Sequence, residues 1–121
     1  MHYLIDTNIL IYYLDDKKEA VDFIETNLEN SAISSISYLE VLAFPYQTDE
    51  DRKVRDFLEL FTIYDITLEI IDIAVANYQT RKIKMADNLI GATAQKYGLT
   101  LVSRNIADFK NLDLDITNPC M

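Results

Sequence analysis

The chain has 121 residues, of which 50% are hydrophobic, so it can form one compact domain over residues 1–121 with a hydrophobic core. Its only cysteine, Cys120, excludes an intrachain disulfide and a cysteine zinc site. Without an apolar run of about 18 residues or a signal-peptide pattern, we expect a soluble, cytoplasmic protein with no membrane partner. The net charge of −9 disfavours a broad basic face for nucleic acid and favours metal ions or a basic partner protein.

The first half of the chain alternates short β-type runs with amphipathic helices. Leu4 and Ile5 belong to a buried strand that ends at Asp6. Thr7 and Asn8 can begin a helix because their side-chain oxygens accept hydrogen bonds from a first turn. The other elements predicted in this half are a strand at Ala32–Ser34 and helices at Asn8–Leu14, Lys17–Leu28, Ser37–Phe44 (ended by Pro45) and from the capping residue Thr48 to Phe61.

The second half continues the same alternation. Thr67 caps a helix that runs to about Lys82, and its apolar stripe is Ile71, Ala74, Val75 and Tyr78. The remaining elements predicted are strands at Ile63–Ile66 and Thr100–Ser103, a helix at Ala86–Tyr97 stopped by Gly98, a loop through Asp108 and Phe109, and an edge strand at Leu114–Ile116. Strands that alternate with helices predict a three-layer α/β/α domain with a short, mainly parallel sheet.

Four acids stand at the ends of these elements, and each has a structural alternative. Asp6 follows a buried strand but could equally cap a helix or occupy a turn. Glu40 lies three residues after Ser37, which is capping-box spacing, although its apolar neighbours place it on a partly buried face. Asp87 could simply stabilise a helix start, and Asp108 could be a loop acid with Asn105 beside it as a hydrogen-bonding orienter.

These carboxylates would repel one another strongly if they met, and a divalent cation would neutralise them. Oxygen ligands without paired histidines suit Mg²⁺ or Mn²⁺. Such ions lower the pKa of water and stabilise charge on a phosphoryl group. The hypothesis therefore depends on the convergence of Asp6, Glu40, Asp87 and Asp108.

The sequence resembles PIN-domain proteins, and specifically the VapC-type ribonuclease toxins of type II toxin–antitoxin systems. The similarity extends over essentially the whole chain, and its motifs occur in the family's order. They are Leu4–Leu10, Ser34–Val41, Ala86–Ala94 and Leu101–Phe109.

This resemblance implies a PIN-like fold and an Mg²⁺- or Mn²⁺-dependent endoribonuclease, in which metal-activated water leaves a 5′-phosphate and a 3′-hydroxyl. It implies that Asp6, Glu40 and Asp87 are the principal metal-binding acids. Asp108 corresponds to a more variable fourth acid, and some members have an acid where this chain has Asn105. It further implies a homodimer and a cognate antitoxin whose tail fills the active-site groove. The positions that correspond to supporting polar residues are Thr7, Asn8 and Ser37.

Four basic residues lie next to the acids in sequence. Arg81, Lys82 and Lys84 precede Asp87, and Arg104 precedes Asp108. They could hold RNA phosphates on either side of the scissile one, or the first two could be ordinary charges at a helix C-terminus.

Two other classes of protein are alternatives. A haloacid-dehalogenase or receiver-type phosphotransfer enzyme also places an aspartate after its first strand, but Asn8 stands where a dehalogenase has a second acid. A catalytically inactive PIN-like interaction module is the other alternative, and retention of all four acids argues against it.

Overall fold

The computed structural model describes residues 1–120, and in these residues five parallel strands form a single sheet in the order β3-β2-β1-β4-β5. The chain passes from β1 outward through β2 and β3, then returns to the other side of β1. The direction of winding therefore changes between β1 and β4, where open parallel sheets bind ligands. The strands are β1 (Tyr3–Ile5), β2 (Ser31–Ser34), β3 (Thr62–Tyr64), β4 (Thr100–Val102) and β5 (Ile116–Thr117).

Helices cover both faces of this sheet. Within the described residues they are α1 (Thr7–Leu14), α2 (Lys18–Asn27), α3 (Ser35–Leu42), α4 (Thr48–Leu58), α5 (Leu68–Thr80), α6 (Met85–Tyr97) and α7 (Ile106–Phe109), with a 3₁₀ turn at Leu28–Asn30. No helix among residues 1–120 is long and apolar enough to cross a membrane.

Side chains alternate across the sheet into two cores. Ile5, Ile33 and Val102 are fully buried on one face, in a cluster with residues of α1 to α4. Leu4 and Leu101 are fully buried on the other face, with residues of α6 and α7. The predicted three-layer α/β/α architecture is thereby confirmed.

The predicted starts of α3 and α4 are wrong, while those of α1, α2 and α6 lie within one residue of the observed starts. Helix α3 begins at Ser35 rather than Ser37, because the Ser34 side chain accepts the Ile36 N–H at 3.0 Å. Helix α4 is capped at Gln47, without a side-chain hydrogen bond, so Thr48 is its first residue instead of its cap. In both regions several small polar residues compete for the capping position, and the sequence alone does not rank them.

The buried face of α5 also differs from the predicted stripe. The buried positions are Ile70, Ala74 and Asn77, whereas Ile71, Val75 and Tyr78 are exposed. Because α5 is apolar around most of its circumference, its composition does not identify the face that packs on α6.

The carboxyl-terminal part contains two further differences. The predicted loop through Asp108 includes the single-turn helix α7, and β5 is displaced from Leu114–Ile116 to Ile116–Thr117. The stop at Gly98 is confirmed, since this residue has φ +63° and ends α6 in the left-handed conformation.

Candidate active site

Asp6 is the first residue after β1 and the N-cap of α1, and only 4% of its surface is exposed. Its Oδ1 accepts the Thr7 N–H at 2.8 Å. Its Oδ2 accepts from the Ser103 hydroxyl at 2.7 Å and from Asn8 Nδ2 at 3.2 Å. The capping and site interpretations of Asp6 are therefore compatible, because one carboxylate makes both sets of contacts.

Burial raises the pKa of Asp6 to about 6, and the negative charges of Asp87 and Glu40 add to this rise. The hydrogen bonds from Ser103 and Thr7 oppose it. The side chain is thus a fixed carboxyl group whose charged form is disfavoured by its surroundings.

Glu40 lies on α3, and a side chain of α1 forms a hydrogen bond with it. The Thr7 side chain is 2.7 Å from Glu40 Oε1, to which its hydroxyl donates, and 2.9 Å from Ser37 Oγ. Ser37 is completely buried inside the helix, so the alternative capping box with Glu40 does not form. Glu40 itself is exposed, contrary to the partly buried position predicted for it.

Asp87 lies in the first turn of α6, and Asp108 lies on α7. Partial burial raises the pKa of Asp87, the charges of Asp108 and Glu40 raise it further, and Lys84 lowers it. Asp87 and Asp108 border a cleft of about 230 Å³, and the basic residues that also line it are Arg81, Lys82 and Lys84. The cleft therefore has carboxylates and cations on its walls.

The four acids surround one region, since Asp6 senses the charges of Asp87 and Glu40, and Asp87 senses those of Asp108 and Glu40. Their carboxylates are still too far apart to share an ion. Within residues 1–120, no group of three or more His, Cys, Asp or Glu side chains is close enough to hold a metal ion. None of the four forms an ion pair in this part of the chain. Repelling, unpaired carboxylates fit a hard divalent cation chemically, but the exposed side chains would have to move towards Asp6 to share it.

Arg104 and Asn105 occupy the loop after β4. The Arg104 guanidinium lies over the Tyr12 ring, 5.3 Å from its centroid, and donates to the Tyr12 hydroxyl. Its backbone N–H donates to Asn8 Oδ1 at 3.2 Å. The Asn105 side chain makes no capping bond, but its backbone N–H donates to Ser103 Oγ at 3.0 Å, so it supports the site through its main chain.

Ser103 was not identified as a site residue by sequence reasoning. The pairing of Ile5 with Val102 makes Asp6 and Ser103 the next facing pair, where the two strands end. The sequence signal is weak, because a serine after a strand is common and its facing residue depends on the register of β1 and β4.

A family model described as "PIN domain" matches residues 3–114 of the chain. The structure is similar to a chain in a toxin–antitoxin complex from Klebsiella pneumoniae, with 34% identity, a TM-score of 0.86 and coverage of 97% of each chain. It is also similar to a chain of VapBC2 from Rickettsia felis bound to a promoter DNA fragment, with 25% identity, a TM-score of 0.81 and coverage of 98% of each chain. VapBC-1 from nontypeable Haemophilus influenzae shares the fold at 24% identity, with a TM-score of 0.81 and full coverage of both chains. Comparison with curated protein sequences gave no significant match.

Proposed function

The chain belongs to the PIN domain family, and from this premise we propose that it is a metal-dependent endoribonuclease that acts as the toxin of a toxin–antitoxin pair. The family membership supports a nuclease, and the similarity to chains of toxin–antitoxin complexes supports the toxin role. RNA as the substrate and Mg²⁺ or Mn²⁺ as the cofactor are parts of the proposal.

The observation that carries this proposal is the buried Asp6 carboxylate at the change in winding direction, with Glu40 and Asp87 near it and Asp108 near Asp87. A protein that needed Asp6 only as a helix cap would gain nothing from placing Glu40 and Asp87 where their charges oppose its ionisation. A divalent cation would remove this cost. When bound, it supplies an acidified water and neutralises charge on the phosphoryl group.

In this proposal Asp6, Glu40, Asp87 and Asp108 hold the ion, and the polar residues around them fix their positions. Ser103 and Asn8 orient the Asp6 carboxylate, while Thr7 directs Glu40 through a hydroxyl that also contacts Ser37. Asn105 supports Asp6 indirectly, since its backbone N–H donates to the Ser103 oxygen. Asp6 is the buried member of the set, and the exposed Glu40 and Asp108 would have to move to share an ion with it.

The basic residues of the cleft are the proposed contacts for RNA phosphates. Arg81, Lys82 and Lys84 share the cleft with Asp87 and Asp108, and Arg104 lies beside Asn8 at the Asp6 end of the site. Local cations allow a chain with net charge −9 to hold a phosphodiester without a broad basic surface.

A second, apolar cavity of about 870 Å³ supports the proposed antitoxin partner. It lies between α1, α3 and α4 and includes Glu40 at its wall. Phe44 is 63% exposed here and Ile11 is 41% exposed, so the cavity offers large apolar side chains to a bound segment. An antitoxin segment in this cavity would reach the active site at Glu40.

The exposed face of α5 supports the proposed homodimer. Leu68, Ile71, Val75 and Tyr78 form an exposed apolar stripe, with Leu68 75% exposed. A second copy of the chain would cover these side chains.

Cleavage of RNA by the purified protein tests the proposed activity. We expect cleavage with Mg²⁺ or Mn²⁺, no cleavage with EDTA, and loss of activity in Asp6→Asn and Asp87→Asn. Asp56→Asn, the same change at an exposed position of α4, is the matched control and should keep full activity. Cleavage that survives EDTA or either site substitution would contradict a metal nuclease, and a folded, antitoxin-binding protein without activity would indicate the inactive interaction module.

A further inference from the structure

Asn77 is a buried residue on α5, with 5% of its surface exposed, and both polar atoms of its side-chain amide form hydrogen bonds. Its Nδ2 donates to Asn88 Oδ1 at 2.9 Å and to Gln95 Oε1 at 2.8 Å, both on α6. Its Oδ1 accepts from Arg81 Nη1 at 3.2 Å. One side chain therefore connects the packing of two helices to the orientation of a guanidinium.

Asn88 provides a separate anchor for α6. It is fully buried, and its Nδ2 donates to the Ala74 carbonyl of α5 at 2.9 Å. This bond does not involve Asn77, so one link between α5 and the turn that carries Asp87 remains when the Asn77 side chain is removed, while the buried Asn88 Oδ1 loses its donor. The contact between Asn77 and Arg81 is the part of the network that packing of α6 does not require.

Arg81 is partly buried on the wall of the cleft that Asp87 and Asp108 also border. Within residues 1–120 it forms no ion pair, although two carboxylates lie on the same cleft. It is held instead by the neutral Asn77 oxygen. Its positive charge is therefore oriented but not neutralised, which suits a planar donor for a phosphate group.

We propose that Asn77 is a positioning residue that orients Arg81 towards a backbone phosphate of RNA bound in this cleft. The inference rests on the proposed function, because the ligand is the phosphate of an RNA substrate. It adds a role for a buried residue that does not line the cleft.

A double-mutant cycle on Asn77→Ala and Arg81→Ala tests this role, with a single-stranded RNA oligonucleotide and Mn²⁺. Each single substitution should raise KM about tenfold, the size expected for loss of one charge-assisted hydrogen bond, and leave kcat within about threefold. The double variant should be no weaker than Arg81→Ala, because Asn77 acts through Arg81. If the two increases in KM multiply, or if Asn77→Ala lowers kcat alone, the inference is wrong.

Asn77→Asp provides a second variant of nearly the same size. One oxygen of its carboxylate would pair with Arg81 and neutralise it, so KM should rise as much as in Arg81→Ala. The other would face Asn88 Oδ1 and Gln95 Oε1 in place of their donor, so the melting temperature should fall as well. The slope of log affinity against log salt concentration should become shallower by about 0.7, the value for one lost phosphate contact on a single strand. An unchanged KM and salt slope would contradict the positioning role.

Gln95→Ala is the control for lost packing, because Gln95 accepts from Asn77 but does not line the cleft. It should lower the melting temperature while KM stays within about twofold. An equal rise in KM would indicate a general effect of the network and overturn the inference.

Binding of the same oligonucleotide in EDTA separates this inference from the proposed activity. If the wild type binds RNA with the same Asn77–Arg81 coupling but never cleaves it, the nuclease proposal fails and the positioning role is supported. If the wild type cleaves RNA but shows no coupling, the positioning role fails and the nuclease is supported. Without binding or cleavage, both are wrong.

Discussion

The Ser103 hydroxyl donates to the Asp6 carboxylate across 2.7 Å, joining the ends of β1 and β4. Ser103 is fully buried, and its oxygen also accepts the Asn105 N–H. This contact holds the least exposed acid of the site at the change in winding direction of the sheet.

Ser103→Ala should weaken metal binding. Loss of the hydroxyl removes a hydrogen bond that lowers the pKa of Asp6, so a larger fraction of the carboxyl is protonated at neutral pH. We expect Mn²⁺ affinity to fall about 10- to 100-fold, the range for loss of a group that supports a metal ligand. Isothermal titration calorimetry would measure this change.

The control for this substitution is Ser31→Ala in β2. Ser31 is equally buried, and its hydroxyl donates to the Asn27 carbonyl at 2.7 Å, away from the acids. Ser31→Ala should lower the free energy of unfolding without changing Mn²⁺ affinity. Equal losses of Mn²⁺ affinity in both variants would contradict a specific role for Ser103.

The metal-free protein should lose stability as the pH rises from about 4 to above 6. The pKa of Asp6 is about 6 in the folded chain and 3.8 in the reference state, so the folded state binds more protons in this range. Unfolding free energy then falls with pH, by about 3 kcal/mol for this group alone. The raised pKa of Asp87 acts in the same direction. Urea denaturation at several pH values in EDTA would measure the slope.

Two comparisons belong to this pH experiment. Asp6→Asn should flatten the slope, because the titrating carboxyl is gone. Saturating Mn²⁺ should reverse it, since the ion binds the ionised acids. A metal-free stability that rises steadily with pH over this range would contradict the account of Asp6.

Val75→Glu should disrupt the proposed homodimer. Val75 is 48% exposed on the apolar stripe of α5, and a charge there would be buried by a second copy. Light scattering after gel filtration should give the mass of a dimer for the wild type and a monomer for the variant. Thr26→Glu, at an exposed position of α2, is the control and should stay dimeric. A wild type that is monomeric at all concentrations would contradict the use of this face.

Gly98→Ala should lower stability by about 1 kcal/mol, because Gly98 has φ +63°, where alanine and most other residues are strained. The added methyl meets no atom within 4 Å, so the cost comes from the backbone and not from a clash. Gly98→Asn should cost less, since asparagine tolerates this conformation. Thermal unfolding would compare the three proteins, and equal losses for Ala and Asn would contradict this explanation.

The succession of strands and helices along the chain was predictable because local sequence patterns determine it. The run at Leu4 and Ile5, the Thr67 cap and the Gly98 stop each depend on neighbours in sequence, and the structure confirms all three. The start of α3 and the buried face of α5 depend on tertiary packing. Ser34, Ser35 and Ser37 are all good capping residues, and burial of Ser37 inside the helix distinguishes them only in the folded chain.

The residues of the candidate site also fall into those that local sequence patterns reveal and those that depend on tertiary contacts. The four acids are visible in the sequence because each lies at the end of an element or in a motif. Ser103 and Asn77 are not, since their roles require the register of β1 with β4 and the contact of α5 with α6. The distances between the acids are also beyond sequence reasoning, and the structure leaves them further apart than a shared ion requires.

The most direct test of the central proposal is the anomalous difference map of a crystal grown with Mn²⁺. The proposal predicts one or two peaks beside Asp6, with oxygen atoms of Glu40 and Asp87 at about 2.1 Å from the ion, close to the Mg²⁺–oxygen distance. Asp108 should lie in the same shell or reach it through a water. A map with full occupancy of Mn²⁺ elsewhere and none beside Asp6 would contradict the proposed metal centre.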